Sequence, residues 1–168
     1  MAIAMIIRED DGKLENILKG IEALTGASVE VGLTGGSAGM ADLATLLENG
    51  SPINRMPGRP FFKAAIASDE TQEALAEGFT QAMDAVMEGD LGGIQAGLET
   101  AGQGGADGIR AYIDQGNFAP NAPITISGGW MRNRVSGKPV YIRGKGSSKP
   151  LIDTGALYAS FNYEVKGV

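Results

Sequence analysis

The feature that most constrains the fold is a pair of consecutive helical patterns between residues 68 and 113. Ser68, followed by two acids, is a favourable helix start, because its hydroxyl can accept a backbone hydrogen bond and acids suit the positive end of the helix dipole. Apolar residues then recur at helical spacing up to Met87, and a second periodic run extends from Leu91 to Ile113. The sequence therefore predicts two long helices joined by a short Gly-Asp turn.

The second run contains an unusual number of glycines. Each one in a helix interior costs up to about 1 kcal/mol relative to alanine, so their presence needs a physical reason. Either the helix breaks near residues 102–105, or small residues let another backbone approach closely. We favour a helix with a weak middle. The seven glycines are Gly92, Gly93, Gly97, Gly102, Gly104, Gly105 and Gly108.

Shorter elements are predicted before this helical pair. The patterns indicate a strand over 2–7, a helix over 13–24 that stops at Gly26, a strand over 28–33 and a short helix over 40–48 that ends at Asn49-Gly50. The expected inward-facing residues are Leu14, Ile17, Leu18, Ile21 and Leu24 in the first helix, and Leu43, Leu46 and Leu47 in the second. Three prolines within 52–60 then predict a rigid, extended loop that carries Arg55 and Arg59.

The C-terminal third changes character. From Asn117 the chain is rich in proline, glycine and basic residues, with a short strand predicted over 139–142 and a final strand after a helical turn. The order of elements predicts an α+β fold in which a small antiparallel sheet packs with a long helical segment. We expect a single domain over 1–168, with 117–150 forming an extended basic loop or hairpin arm.

Charge is divided sharply along the chain. Between residues 69 and 114 there are ten acids and one base, whereas between 121 and 149 there are six bases and no acid. Identical subunits packed head to tail would use this complementarity, and a polyanion could also bind the basic segment. A solvated helix face beside a solvated loop would have the same composition.

The absence of cysteine and histidine limits the available chemistry. It excludes disulfides, thiolate nucleophiles, cysteine-bound metals and every mechanism that needs an imidazole base. The acids show no EF-hand spacing, and no glycine-rich run is followed by the lysine and hydroxyl residue of a phosphate loop. We therefore expect no metal and no cofactor. No window of about 18 apolar residues is present, so a membrane span is not expected either.

The segment PLIDTGA contains the Asp153-Thr154-Gly155 triplet that retroviral-type aspartic proteases carry after an apolar strand. Two such triplets must face each other so that two carboxylates share a proton, and a homodimer could supply the second. Each subunit would also need a flap and a second supporting strand after the triplet. Only thirteen residues follow Gly155. We therefore expect the triplet to form a turn instead, since short polar side chains bond nearby backbone and glycine permits a sharp bend.

The basic segment is the strongest candidate for a binding surface. Its cations, with Trp130 and Tyr141 available for stacking, could contact phosphates of DNA, although the segment has no nucleic-acid reader motif. An acidic protein surface is an equally suitable partner. The predicted interface residues are Arg55, Arg59, Pro60, Phe61, Arg132, Arg134, Arg143 and Lys145. Phe61 and Phe62 could also pack in the core, and at least one of them is expected there.

Two separated motifs resemble those of a family of tailed-bacteriophage neck and tail-completion proteins, also described as virion morphogenesis or minor tail proteins. The first is a short apolar helix, Glu-aromatic-Gly, a spacer and Ile-Pro-x-Arg-Pro-Phe before a long helix. Here Glu48-Asn49-Gly50 and Met56-Pro57-Gly58-Arg59-Pro60-Phe61 occupy these places, with Asn49 for the aromatic residue and Met56 for isoleucine. The second is the Asp-Thr-Gly-x-Leu motif within KGSSKPLIDTGALYASF, after APNAPITI. The resemblance extends from Ser28 to Val165.

The resemblance implies a structural protein, with no catalytic role for the triplet. The implied location is the neck or tail end of the virion, reached from the host cytoplasm during assembly, in a homo-oligomeric ring around the DNA channel. Six copies is one candidate number. The implied neighbours are the tail tube or tail terminator and the head connector, with non-specific contact to genomic DNA. The alternatives are a tail terminator or another morphogenesis factor, and, more remotely, an aspartic hydrolase acting through Asp153. The portion 130–145 matches only longer members of the family.

Overall fold

The computed structural model describes residues 11–33 and 38–167, so the strand predicted over 2–7 lies outside the described residues. The chain has the predicted α+β fold, in which two small antiparallel sheets accompany long helices. Its helices are α1 (Asp11–Gly26), α2 (Ala38–Asn49), α3 (Phe61–Ile66), α4 (Asp69–Glu88), α5 (Leu91–Gln115), α6 (Pro123–Ser127) and α7 (Ala156–Ser160). Its strands are β1 (Ser28–Gly32), β2 (Gly129–Arg132), β3 (Pro139–Ile142) and β4 (Asn162–Lys166).

Helices α4 and α5 form the antiparallel pair on which the rest of the chain is built. The Ser68 hydroxyl accepts the Thr71 N–H at the start of α4, and Gly89 ends the helix in the left-handed conformation with φ 77°. Asp90 then caps α5 by accepting the Gly92 N–H at 3.0 Å. Both helix starts therefore use a short polar side chain for a donor that the helix leaves unpaired.

Helix α5 continues without a break through residues 102–105, so the interpretation in which the helix breaks there is wrong. The glycines permit close packing, as the other interpretation expected. A Cβ on Gly97 would lie 2.7 Å from Ala82 Cα, and one on Gly108 would lie 2.8 Å from Thr71 Cγ2. On α4, Gly78 meets the Ala101 backbone in the same way. We refer to this contact between α4 and α5 as the glycine seam.

The sheet of β1 and β4 packs on α5 through the same small residues. The two strands pair antiparallel, with Val31 opposite Tyr163. A Cβ on Gly105 would come within 3.0 Å of the Val31 side chain, and Gly102 faces the Tyr163 ring. The missing side chains of α5 therefore make room for the sheet as well as for α4.

The buried core has two parts along the helical pair. One gathers Phe61 and Ala65 of α3, Ile109 and Ile113 of α5, and Leu157 and Phe161 near α7. The other gathers Ala82, Ala85 and Val86 of α4 with Ile94 and Leu98 of α5. Phe61 and Phe161 meet edge to face with ring centroids 5.7 Å apart, an arrangement that aromatic pairs favour.

The predicted apolar faces of the two N-terminal helices are only partly buried. In α1, Ile17 and Leu24 pack on the second part of the core, but Leu14, Leu18 and Ile21 are exposed. In α2, Leu47 packs on the first part, whereas Leu43 and Leu46 are exposed. The prediction that all of these residues point inward is therefore wrong. None of the helices in the described ranges is long and apolar enough to cross a membrane.

Candidate functional site

The proline-containing segment after α2 forms a tight turn where an extended loop was predicted. Ser51 and Met56 form an isolated antiparallel bridge, and the Arg59 N–H donates to Leu47 O at 2.8 Å. Gly50 starts the turn with φ 76°, and a Cβ there would collide with the backbone at Met56 and Gly58. The glycine of the Glu-x-Gly motif therefore allows the chain to fold back on the end of α2.

Glu48 stabilises the start of α3 from a distance in the sequence. Its carboxylate oxygens accept the N–H groups of Phe62 at 2.9 Å and Lys63 at 3.2 Å. These amides have no partner within the helix, and a negative charge is favourable at this end of the dipole. The first motif is thus a folding unit, in which Glu48 caps α3 and Gly50 permits the turn.

Arg59 fixes the segment that follows α5. Its side chain is 5% exposed and donates from Nε to Ala119 O at 2.9 Å and from Nη2 to Pro120 O at 3.1 Å. Asn121 Oδ1 accepts a further bond from Nη2 at 3.3 Å. Burial lowers the pKa of Arg59. The guanidinium is surrounded by carbonyl oxygens. These acceptors replace the water that would otherwise solvate its charge.

The hydrogen bonds continue from Asn121 to the C-terminal motif. Asn121 Nδ2 donates to Ser148 O at 3.0 Å and to Lys149 O at 3.1 Å. Lys145 Nζ donates to Ile152 O at 2.8 Å and also to Lys149 O. Burial lowers the pKa of Lys145, with a smaller opposing effect from the Asp153 carboxylate. The two family-like motifs are therefore joined through Arg59, Asn121 and Lys145.

Three predicted interface residues have internal roles in this structure. Arg59 and Phe61 are buried, the latter 1% exposed, and the Lys145 ammonium bonds carbonyls of its own chain. The interface prediction is wrong for Arg59 and Phe61, because the turn and the first core cluster enclose these two side chains. Lys145 is half-buried, and its interface role stays a prediction. The expectation that at least one phenylalanine packs in the core is confirmed by Phe61. Arg55, Pro60, Arg132, Arg134 and Arg143 are exposed.

The Asp-Thr-Gly triplet forms the turn that begins α7. Thr154 Oγ1 accepts the Ala156 N–H at 3.3 Å, and Gly155 has φ 79° in the left-handed region. Asp153 is exposed beside Lys145. Within α7, Tyr158 Oη donates to Asp114 Oδ2 at 2.8 Å and so ties this element to α5. Thr154 and Gly155 thus stabilise a local backbone turn.

Strands β2 and β3 form a hairpin that projects from the helical body. Every residue from 130 to 141 is exposed. Trp130 is paired with Tyr141 and their rings meet edge to face at 5.5 Å on one face, while Met131 and Val140 are paired on the other. At the tip, Asn133 Oδ1 accepts the N–H groups of Val135 and Ser136, both at 2.9 Å. The hairpin is therefore ordered by its own bonds although few other residues cover it.

A groove lies beneath the hairpin, between it, α2 and the turn at 54–59. Its cavity volume is about 920 Å³, and its walls include the apolar residues Met40, Leu43, Leu47, Met131, Val140 and Ile142. The charged residues among the described lining are Arg55, Arg59, Arg134, Arg143 and Lys145, with Asp153 as the acid. Such a site favours an anionic partner that also has apolar surface. We call this cavity the basic groove.

Sequence reasoning did not identify Asn121 or the apolar lining of the groove. Asn121 stands in an Ala-Pro-Asn-Ala-Pro run that has the composition of an ordinary loop, and its partners are backbone carbonyls. Leu43 was predicted to point into the core but lines the groove instead. Leu43 lies four residues before Leu47, which packs on the core, so helical spacing gives no signal that separates the two.

Fold and groove together define a small α+β protein that presents a basic, aromatic hairpin on a helical body. Comparison with family models, with curated proteins and with solved structures found no match.

Proposed function

We propose that the protein is a structural component of a tailed-bacteriophage virion, located at the neck or tail end. In this role it oligomerises around the DNA channel, completes the tail and permits the head and tail to join. It has no enzymatic role, and its binding relies on shape and charge complementarity. The starting point is the resemblance of the two motifs to those of neck and tail-completion proteins.

One observation carries the proposal. The two motifs, separated by about a hundred residues, fold as one hydrogen-bonded unit through Arg59, Asn121 and Lys145, and this unit holds the base of the exposed hairpin. At that base the Lys145 N–H donates to Thr125 O at 3.0 Å. The motif residues therefore orient the basic hairpin. This suits an assembly protein, because such a protein must present its binding surface to a neighbour in one geometry.

The hairpin also suits a position near DNA. Arg132, Arg134 and Arg143 are exposed next to the Trp130 and Tyr141 rings. Contacts with phosphates would be independent of base sequence and would weaken as salt concentration rises. In our proposal this contact is secondary, and protein neighbours provide the assembly energy.

The test is a nonsense codon placed early in the gene of the phage that encodes the chain, followed by negative-stain microscopy of lysates. DNA-filled heads beside separate tails are expected, because a missing neck or completion protein leaves both halves intact. Abnormally long tails would favour a tail terminator instead. Normal infectious particles would contradict the proposal.

A plasmid-borne copy provides the matched controls. The unaltered gene is expected to restore infectious particles, and so is a copy with Asp153→Asn, since this exposed residue has no catalytic part in the proposal. Unprocessed, empty heads with the Asp153→Asn copy would instead indicate an aspartic hydrolase.

A further inference from the structure

The outer side of α4 carries an exposed apolar stripe. Phe79, Met83 and Met87 are 43%, 60% and 65% exposed, and their spacing of four residues aligns them along the helix. In a helix that faced only solvent, these positions would normally be polar. Methionine and phenylalanine are residues that are enriched in the buried centres of protein interfaces.

Acids without counter-charges border this stripe. Helix α4 contains six acids and no base, and Asp84 and Glu88 follow Met83 and Met87 directly. No ion pair in the described part of the chain uses a carboxylate of α4. The surface therefore combines apolar side chains with a negative field, and a complementary partner needs exposed apolar groups and cations.

The hairpin of the same chain has this complementary chemistry. Its outer face presents Trp130 and Tyr141, at 72% and 58% exposure, and its tip presents Val135 at 79%. Arg132 shares the face of Trp130, since it lies two residues along the strand. Lys138 adds a second cation at the tip, and neither Arg132 nor Lys138 lines the basic groove. The exposure of these residues shows that they do not cover the α4 stripe of their own subunit.

We propose that the β2–β3 hairpin of one subunit docks on the Phe79–Met83–Met87 stripe of α4 in the next copy of the chain. The two surfaces differ, so the contact is heterologous and propagates in one direction until a ring closes. The proposal deepens the proposed function by naming the subunit contact of the ring, and it rests on that function only for the ring's place in the virion.

Cross-linking tests the contact directly, because the chain has no cysteine of its own. A single hairpin is small beside the roughly 800 Å² per partner of a standard interface, so free copies are expected to bind weakly and a covalent trap is appropriate. The variants are Val135→Cys at the tip, Met83→Cys on the stripe, and the full chain with both changes, each oxidised at high protein concentration.

The two-cysteine chain is expected to give a ladder of covalent oligomers. Each single-cysteine chain alone is expected to remain monomeric, and an equal mixture of the two is expected to stop at the dimer. Dimers of Met83→Cys alone that form as fast as the mixed dimer would indicate a symmetric contact and overturn the proposal. A mixture that does not cross-link would overturn the proposal as well. This holds even if the hairpin binds duplex DNA.

Charge reversal supplies a second, independent measurement. Arg132→Glu with Lys138→Glu is expected to slow mixed-dimer formation at least about tenfold at low salt, because like charges then face each other. Asp84→Lys with Glu88→Lys in the Met83→Cys partner is expected to restore the rate. The matched control, Glu22→Lys with Asp42→Lys, changes the net charge equally at exposed acids elsewhere and is expected to give no recovery. Equal recovery with the control would refute a specific contact.

The two proposals fail separately. Cross-linking as described, together with normal particles from the nonsense phage, would leave the subunit contact standing and remove the neck role. Separate heads and tails from that phage, together with no cross-link, would have the opposite meaning.

Discussion

Replacing Gly78 by alanine tests whether the glycine seam, and not helix propensity, determines the stability of the helical pair. A Cβ at Gly78 would lie 2.6 Å from Ala101 Cα and closer still to Ala101 N, both of which belong to backbone. Ordinary contact between carbon atoms needs about 3.5 Å, so the helices must separate locally by about 0.9 Å. A gap of that size removes between about a quarter and a half of the dispersion energy of each neighbouring contact along the seam.

The magnitude follows from two opposing effects. Overpacking against a rigid neighbour costs about 3 kcal/mol, at the upper end of the usual range, because backbone cannot rotate away. Alanine regains about 1 kcal/mol through its better helix propensity. The free energy of unfolding in urea is therefore expected to fall by about 2 kcal/mol, which lowers Tm by about 4–8 °C for a chain of this length.

Gly39→Ala in α2 is the matched control, because a Cβ there would have no neighbour within 4 Å. It is expected to leave stability unchanged or to raise it by up to about 1 kcal/mol. If Gly78→Ala proved as stable as the parent chain, or gained stability as the control does, the close-packing explanation for the glycines would be refuted.

Three further outcomes are expected. Arg59→Lys should lower the free energy of unfolding by about 2 kcal/mol and accelerate amide exchange around 117–121, since an ammonium cannot satisfy the same fork of carbonyls; unchanged exchange would contradict the anchoring role. Glu48→Gln should cost about 1 kcal/mol by weakening the cap of α3, measured by thermal unfolding against Asp42→Asn on the same helix. The hydrogen bond to Asp114 raises the pKa of Tyr158, so its stabilisation is fully present below the ordinary tyrosine pKa and lost as pH rises through the raised one; Tyr158→Phe should remove a step above the ordinary tyrosine pKa from an ultraviolet absorbance titration, and survival of that step would contradict the assignment.

Periodicity predicted the long helices correctly because their apolar spacing and caps are local properties of the sequence. The glycines were harder to interpret. Gly93, Gly97, Gly104 and Gly108 recur at helical spacing, which is the pattern of a close helix contact, yet propensity alone favoured a weakened helix. Propensity counts the cost of each glycine within its own helix, whereas the gain comes from a second helix that the pattern of the first does not specify.

The candidate site was predictable only in part for a related reason. The basic segment and its exposed arginines follow from composition, and the turn at Gly155 follows from residue type. The burial of Arg59 could not be predicted, because its main acceptors are the backbone carbonyls of Ala119 and Pro120, about sixty residues away. Every residue has such a carbonyl, so the sequence does not distinguish these two. The local sequence around Arg59 is compatible with a side chain that faces solvent and with one that binds backbone.

The Arg59 bonds also determine when the hairpin is placed as the chain folds. Helices α4 and α5 are joined by a two-residue turn, so their contacts are local and close quickly. The bonds from Arg59 span 60 to 62 residues, and they can form only after the loop they close, which contains the whole helical pair, has been drawn together. We therefore expect the hairpin to be oriented only after the helical pair has formed, so that its adhesive surface reaches its final geometry on helices that are already packed.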